Sequence, residues 1–167
     1  MALPAHSELD ADSNPLETIE QMAVQNKWVF DRNADDEIHL AFQGQWSDYH
    51  VTVSWRGQIE TLHLTAALEL RVPAARRQEM QTLLNLINEQ LWIGHFEMWD
   101  GEGQIVYRYG LLLAETGGAS FEQCQSIIEI AVDACDRFYP ACQYVIWAGK
   151  TAKDAAQAAL FETAGTA

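Results

Sequence analysis

Two neighbouring segments alternate apolar and polar residues so regularly that they constrain the rest of the chain. In "EIHLAFQ" (37–43) Ile38, Leu40 and Phe42 share one face, and His39, Ala41 and Gln43 share the other. "DYHVTVSW" (48–55) repeats the pattern, with Tyr49, Val51, Val53 and Trp55 set against His50, Thr52 and Ser54. A period of two marks β-strands. Strands that alternate in this way belong to an antiparallel sheet buried on one side only. The apolar side therefore needs a cover from elsewhere in the chain. A turn at Arg56-Gly57 leads into "IETLHLTAALELRV" (59–72), with Leu62, Leu64 and Ala66 inward. A short strand, "WVFDR" (28–32), precedes the pair and is separated from it by the polar turn "NADDE" (33–37).

Helical spacing supplies the cover. Asn14 followed by Pro15 and Glu17 favours a helix start, because each satisfies or removes an orphan N–H group. Leu16, Ile19 and Ala23 give that helix its inward stripe. Pro73 ends the long strand and opens a second helix, where Met80, Leu83, Leu84, Ile87 and Leu91 recur on one face. "NLINEQLWIGHFEMW" (85–99) then passes from helical to strand periodicity with no polar linker, turning at Gly94. Phe96 and Met98 are expected inward, and His95 and Glu97 outward. Asn85, Asn88 and Gln90 lie off the apolar stripe, free to bond neighbouring backbone, and Trp92 and Trp99 are expected to bury. "DGEGQ" (100–104) is a hairpin turn, returning as "IVYRYGLLLAE" (105–115). Ser120 with Gln123 forms a capping box. It opens a helix with Phe121, Cys124, Ile127, Ile128, Ala131, Cys135 and Phe138 buried and an interruption at Pro140. A shorter helical piece reaches Gly149, and Thr151 caps a last Ala-rich helix to about Glu162. Strands and helices are segregated, which defines an α+β fold with helices on one face of an antiparallel sheet. One domain spans 14–162, between a flexible leader (1–13) and a flexible tail (163–167).

Composition narrows the function. Ten basic against 24 acidic residues give a net charge of −14. That charge repels nucleic acid and anionic membrane surfaces, whose affinity for proteins rests on Lys and Arg. No apolar run approaches a membrane span, and the acidic start lacks the features of a signal peptide. A cytoplasmic protein is expected. Cys124, Cys135 and Cys142 are odd in number and unpaired in spacing, so they read as core thiols rather than a disulfide framework. "GKT" (149–151) lacks the Gly five residues earlier that a phosphate loop requires; that position is Tyr144. Asp100 and Glu102 read as solvated turn carboxylates. No catalytic constellation and no cofactor motif is present.

The remaining signal is the polar face of the sheet: His39, Ala41, Gln43, His50, Thr52, Ser54, Thr61, His63, Thr65 and His95. It holds almost no acids in a chain that has 24, which suggests a surface covered by a partner. His39, His50, Thr52, His63, His95 and Trp99 are the candidate partner-binding residues, the partner being a client protein or a second copy. If a tight hairpin paired Trp55 with Gln58, His50 would face His63, close enough to share a metal ion. A small metal-binding enzyme or sensor is therefore the alternative reading.

"LHLTAALELRVPAARRQEMQTLLNLINEQLWIGHFEMW" (62–99), "GQIVYRYGLLL" (103–113) and "YVIWAGKTAKDAAQAALFET" (144–163) together resemble the YbjN-domain family of bacterial sensory transduction regulators. The resemblance spans residues 15–162, and its most specific part is "LRVP" with "INEQLWIGHFE". It implies a fold similar to type III secretion chaperones, here with an extra early strand and extra C-terminal helices. It also implies a bacterial, cytoplasmic, non-enzymatic regulator or chaperone-like binder that forms homodimers. It supplies no catalytic residues.

Overall fold

The inward-facing residues of the alternating strands and the helical stripes meet in one core. A computed structural model describes residues 14–99, 101–114, 116 and 118–164, with side chains to Ala159. The expected leader (1–13), Asp100 of the turn pair and residues 165–167 of the expected tail lie outside the described residues. In chain order the elements are α1 (Pro15–Asn26), β1 (Val29–Ala34), β2 (Glu37–Gln43), β3 (Asp48–Arg56) and β4 (Thr61–Arg71). Then follow α2 (Arg77–Asn88), β5 (His95–Trp99), β6 (Gln104–Leu112), α3 (Phe121–Ile146) and α4 (Ala152–Ala164). The strands form one antiparallel six-stranded sheet in the order β1-β2-β3-β4-β6-β5. α1 lies against β1 to β3, α3 against β3, β4 and β6, and α2 against β5, while α4 packs on α2 and α3. The fold class is α+β with the helices on one face.

Local chemistry explains most boundaries. The Asn14 side chain accepts the Leu16 N–H at the start of α1. The Ser120/Gln123 capping box opens α3. Cys124, Cys135 and Cys142 are all buried on α3, where burial raises their thiol pKa values to about 11 for Cys124 and about 12 for Cys142. They are core thiols, protonated at neutral pH. "GKT" is a helix stop: Gly149 takes φ +63 and the Lys150 N–H bonds the Tyr144 carbonyl. Thr151 caps α4 through its hydroxyl, which accepts the Asp154 N–H at 3.2 Å. Glu102 pairs with Arg71 at 2.7 Å on the surface.

Two expectations about α3 fail. Pro140 does not interrupt α3, which runs unbroken from Phe121 to Ile146. Its missing N–H costs one helical bond, but Tyr139, Pro140, Ala141 and Cys142 are all buried, and that packing holds the helix through the gap. Phe121, at the first turn of α3, is 37% exposed rather than core.

The junction at 85–99 is held by the side chain of Asn88. Its Nδ2 donates to the Phe96 carbonyl at 2.9 Å and its Oδ1 accepts the Phe96 N–H at 2.8 Å. The last turn of α2 thus pairs with the second residue of β5 as a strand would. Gly94 takes φ +68, and a Cβ there would collide with the Tyr107 ring and hydroxyl. That hydroxyl donates to the Ile93 carbonyl at 2.8 Å. The Gln90 side chain donates to the Leu86 carbonyl and the Asn85 side chain to Glu89, each four residues away along the chain. Trp92 did not bury: it is 100% exposed, and Trp99 is 49% exposed.

Candidate functional site on the open sheet face

Alternation places the candidate residues as expected, on the side of the sheet opposite the helices. Asp31, His39, Thr52, Thr65, Arg108 and His95 stand in a single row across all six strands. The next row toward one end holds Ala41, His50, Ala67, Val106 and Glu97. The row on the other side holds Glu37, Ser54, His63 and Gly110. Three candidates, His39, Thr52 and His95, thus share the central row. His50 and His63 flank it, and Trp99 lies at a corner beside Gln104 and Arg71.

The register overturns one expectation. His50 sits opposite Ala67, and His63 opposite Ser54. The β3–β4 connection is not a tight hairpin but a 3-10 turn, Gly57–Ile59, closed by Glu60 at φ +44. Trp55 therefore pairs with Leu62 rather than Gln58. The slip is an even number of residues, so every side chain keeps its face while its partner changes. The geometry that motivated a shared metal ion is gone. Among the described residues no group of three His, Cys, Asp or Glu side chains is placed to hold a metal.

Nor is the face nearly free of acids, because Asp31, Glu37, Glu69 and Glu97 share it with Arg108. Nε2 of His39 lies 3.0 Å from Glu37, and its Nδ1 shares a hydrogen bond with the Thr52 hydroxyl at 3.0 Å. Ser54 donates to the second Glu37 oxygen. His50 pairs with Glu69 at 3.1 Å. At the β5 end, Glu97 accepts from Trp99 Nε1 at 2.8 Å and from Arg108 Nη1 at 3.3 Å, with His95 at 3.5 Å. Arg108 Nε donates in turn to His63 Nε2 at 2.7 Å. The chain Trp99–Glu97–Arg108–His63 therefore crosses β5, β6 and β4. Burial pushes Glu97 toward a higher pKa, but the Trp99 hydrogen bond, the Arg108 charge and the His95 hydrogen bond outweigh it and hold the carboxyl below its ordinary range. Burial first, and the Arg108 guanidinium second, depress the pKa of His63. His63 is thus a neutral acceptor at physiological pH.

Arg108 and Glu97 organise this face, and the sequence held a signal for them. In "YRY" Arg108 alternates with the buried Tyr107, and in "HFE" Glu97 alternates with the buried Phe96.

The fold and this site define a class: α+β proteins in which a sheet is covered on one side and presents a polar, hydrogen-bonded face on the other. The family model described as "Putative bacterial sensory transduction regulator", YbjN, matches residues 15–144. The chain belongs to the YbjN family. Among solved structures it is similar to "Crystal structure of YbjN, a putative transcription regulator from E. coli", at 16% sequence identity and a TM-score of 0.52. That match covers 72% of this chain and 85% of the other. No curated protein matches the chain. Among the described residues no helix is long and apolar enough to cross a membrane.

Proposed function

We propose that this chain is a non-enzymatic, cytoplasmic protein-binding regulator or chaperone-like adaptor of bacterial signalling. Its partner seats on the open sheet face around His39, His50, Thr52, His63 and His95, with Trp99 at the rim. One observation carries the reading. The face is uncovered by any helix among the described residues, yet its carboxylates already have partners there: Glu97 meets Arg108, and Glu37 and Glu69 meet the rings of His39 and His50. Covering charges costs desolvation, and the cost falls when each is compensated on its own surface. Ala41, Thr52, Thr65, Ala67 and Val106 give the face a low floor on which a partner can lie flat. The chain's net charge of −14 favours a basic or charge-patterned protein over nucleic acid.

The test is co-purification from the native cell, comparing the untagged wild type with a His50→Glu, Thr52→Glu double variant of unchanged circular dichroism. Loss of a stoichiometric partner from the variant supports the reading. An identical partner set in both, or a homodimer alone that the variant dissolves, contradicts it.

A further inference from the structure

β5 and β6 are unequal in length, and this leaves a gap at the sheet's edge. β5 begins at His95, paired with Arg108, whereas β6 continues to Leu112. From Tyr109 to Leu112, β6 has β4 on one side and, among the described residues, no strand on the other. The Leu113 N–H bonds the Glu60 carbonyl on the β4 side. Backbone groups alternate in direction along an antiparallel strand, so Gly110 and Leu112 turn their N–H and C=O groups toward the gap. Below the gap, between β6 and α3, lies a cleft walled by Ile93, Tyr109, Leu111, Ile127 and Ile130, with Glu122 at its side. Trp92, which precedes Ile93 in the chain, is fully exposed, and Leu112, at the end of β6, is 65% exposed. An apolar cleft beneath unpaired strand backbone is a recognisable interaction surface.

We infer that this gap takes an extended segment of a partner protein, added as a strand alongside Gly110 and Leu112, with an apolar side chain in the cleft and a basic residue near Glu122. Unpaired groups two residues apart on a strand repeat at a spacing that only another extended backbone matches. The apolar walls call for apolar residues at alternate positions. Charge complementarity sets the rest: Glu122 and the net charge of −14 attract a cationic segment and repel a second copy of this chain. The inference goes beyond the open-face reading above: it uses a different surface and stands or falls separately from it.

Gly110→Pro tests it cleanly. The N–H it removes faces the gap and not β4, and Gly110 does not have positive φ, so edge proline is tolerated. The probe is a fluorescein-labelled octapeptide alternating Val with Lys and Thr, titrated by anisotropy and followed by amide chemical shifts. Expected are saturable binding, shifts confined to Ile93, 109–113 and 122–130, and about tenfold weaker binding for Gly110→Pro, the effect of losing one backbone bond and its register. Trp92→Ala also weakens binding, whereas His50→Glu on the open face leaves it unchanged. No binding at millimolar peptide, unchanged affinity in a folded Gly110→Pro, or shifts on the His face would overturn the inference. So would a wild-type dimer that Gly110→Pro dissociates, because a second copy would then own the edge.

Discussion

Asn88 binds both backbone polar groups of Phe96, donating to its carbonyl at 2.9 Å and accepting its N–H at 2.8 Å. A side chain on α2 thereby starts β5 in place of a neighbouring strand. Asn88→Ala leaves the donor and acceptor of a buried residue unsatisfied. We expect a loss of about 2 kcal/mol in urea unfolding. Asn88→Asp, which keeps only the acceptor, should fall between wild type and Ala. Trp92→Ala, four residues on and fully exposed, should change stability by less than about 0.5 kcal/mol.

Gly94 makes the same junction possible from the backbone side. Gly94→Ala meets a left-handed φ of +68 and the side chain of Tyr107 at once. The strain of the first is about 1 kcal/mol, and displacing Tyr107 from the Ile93 carbonyl adds to it. The expected total is about 2–3 kcal/mol. In a Tyr107→Phe background Gly94→Ala should cost less, because the hydroxyl it displaces is no longer there. Equal costs in both backgrounds would show that the two residues do not interact.

The C-terminal helix, beyond the family match, is tied back by two side chains that precede or open α2. Arg76 donates to the carbonyls of Val145 at 2.8 Å and Lys150 at 2.7 Å. Glu79 accepts the Ala152 N–H. α4 itself buries only Ala152, Ala155, Ala156 and Ala159 among its described side chains, a small apolar area, so these anchors carry much of its docking. Arg76→Ala should speed amide exchange in 152–159 by about tenfold, with β4 unaffected. Unchanged exchange would mean the alanine face suffices.

The pH response of the open face follows from His63. Its pKa lies below the ordinary 6.5, through burial and then Arg108. Above pH 6.5 it is neutral in both folded and unfolded chains and contributes nothing. As pH falls below 6.5 the unfolded chain binds the proton first, so stability declines until the folded-state pKa is reached and then levels off. An NMR titration of the His63 ring should show a midpoint below 6.5, moving partly back toward it in Arg108→Gln. A midpoint at or above 6.5 in the wild type would contradict the observed contact.

How far the sequence can be read is clearest at β3 and β4. The period of two assigned Val51, Val53, Leu62 and Leu64 to the core, where all are buried. It could not assign partners, because the 3-10 turn at Gly57–Ile59 carries Glu60, not Gly or Asn, at its left-handed position. The same limit hid the Glu69–His50 pair, which depends on register, whereas Glu37–His39 and Glu97–His95 are same-strand neighbours two residues apart that alternation alone puts on one face. Trp92 misled because tryptophan usually buries its bulk, and nothing in "NEQLWIG" reveals that the chain there turns outward. Asp136 was invisible too. It holds the Gln45 N–H at 2.8 Å and the Tyr49 hydroxyl at 2.7 Å across a separation no local pattern reports. Family resemblance and alternation together reached the fold, while the site's bonding network needed coordinates.

The most direct measurement is photo-cross-linking in the native cell from a photoreactive residue replacing Thr52, at the centre of the open face, against one replacing the exposed Gln157 on α4. A discrete adduct with another protein from position 52, absent from position 157, is what a partner-binding sheet face predicts. No adduct from position 52, the same adducts from both positions, or a self-adduct alone would contradict it.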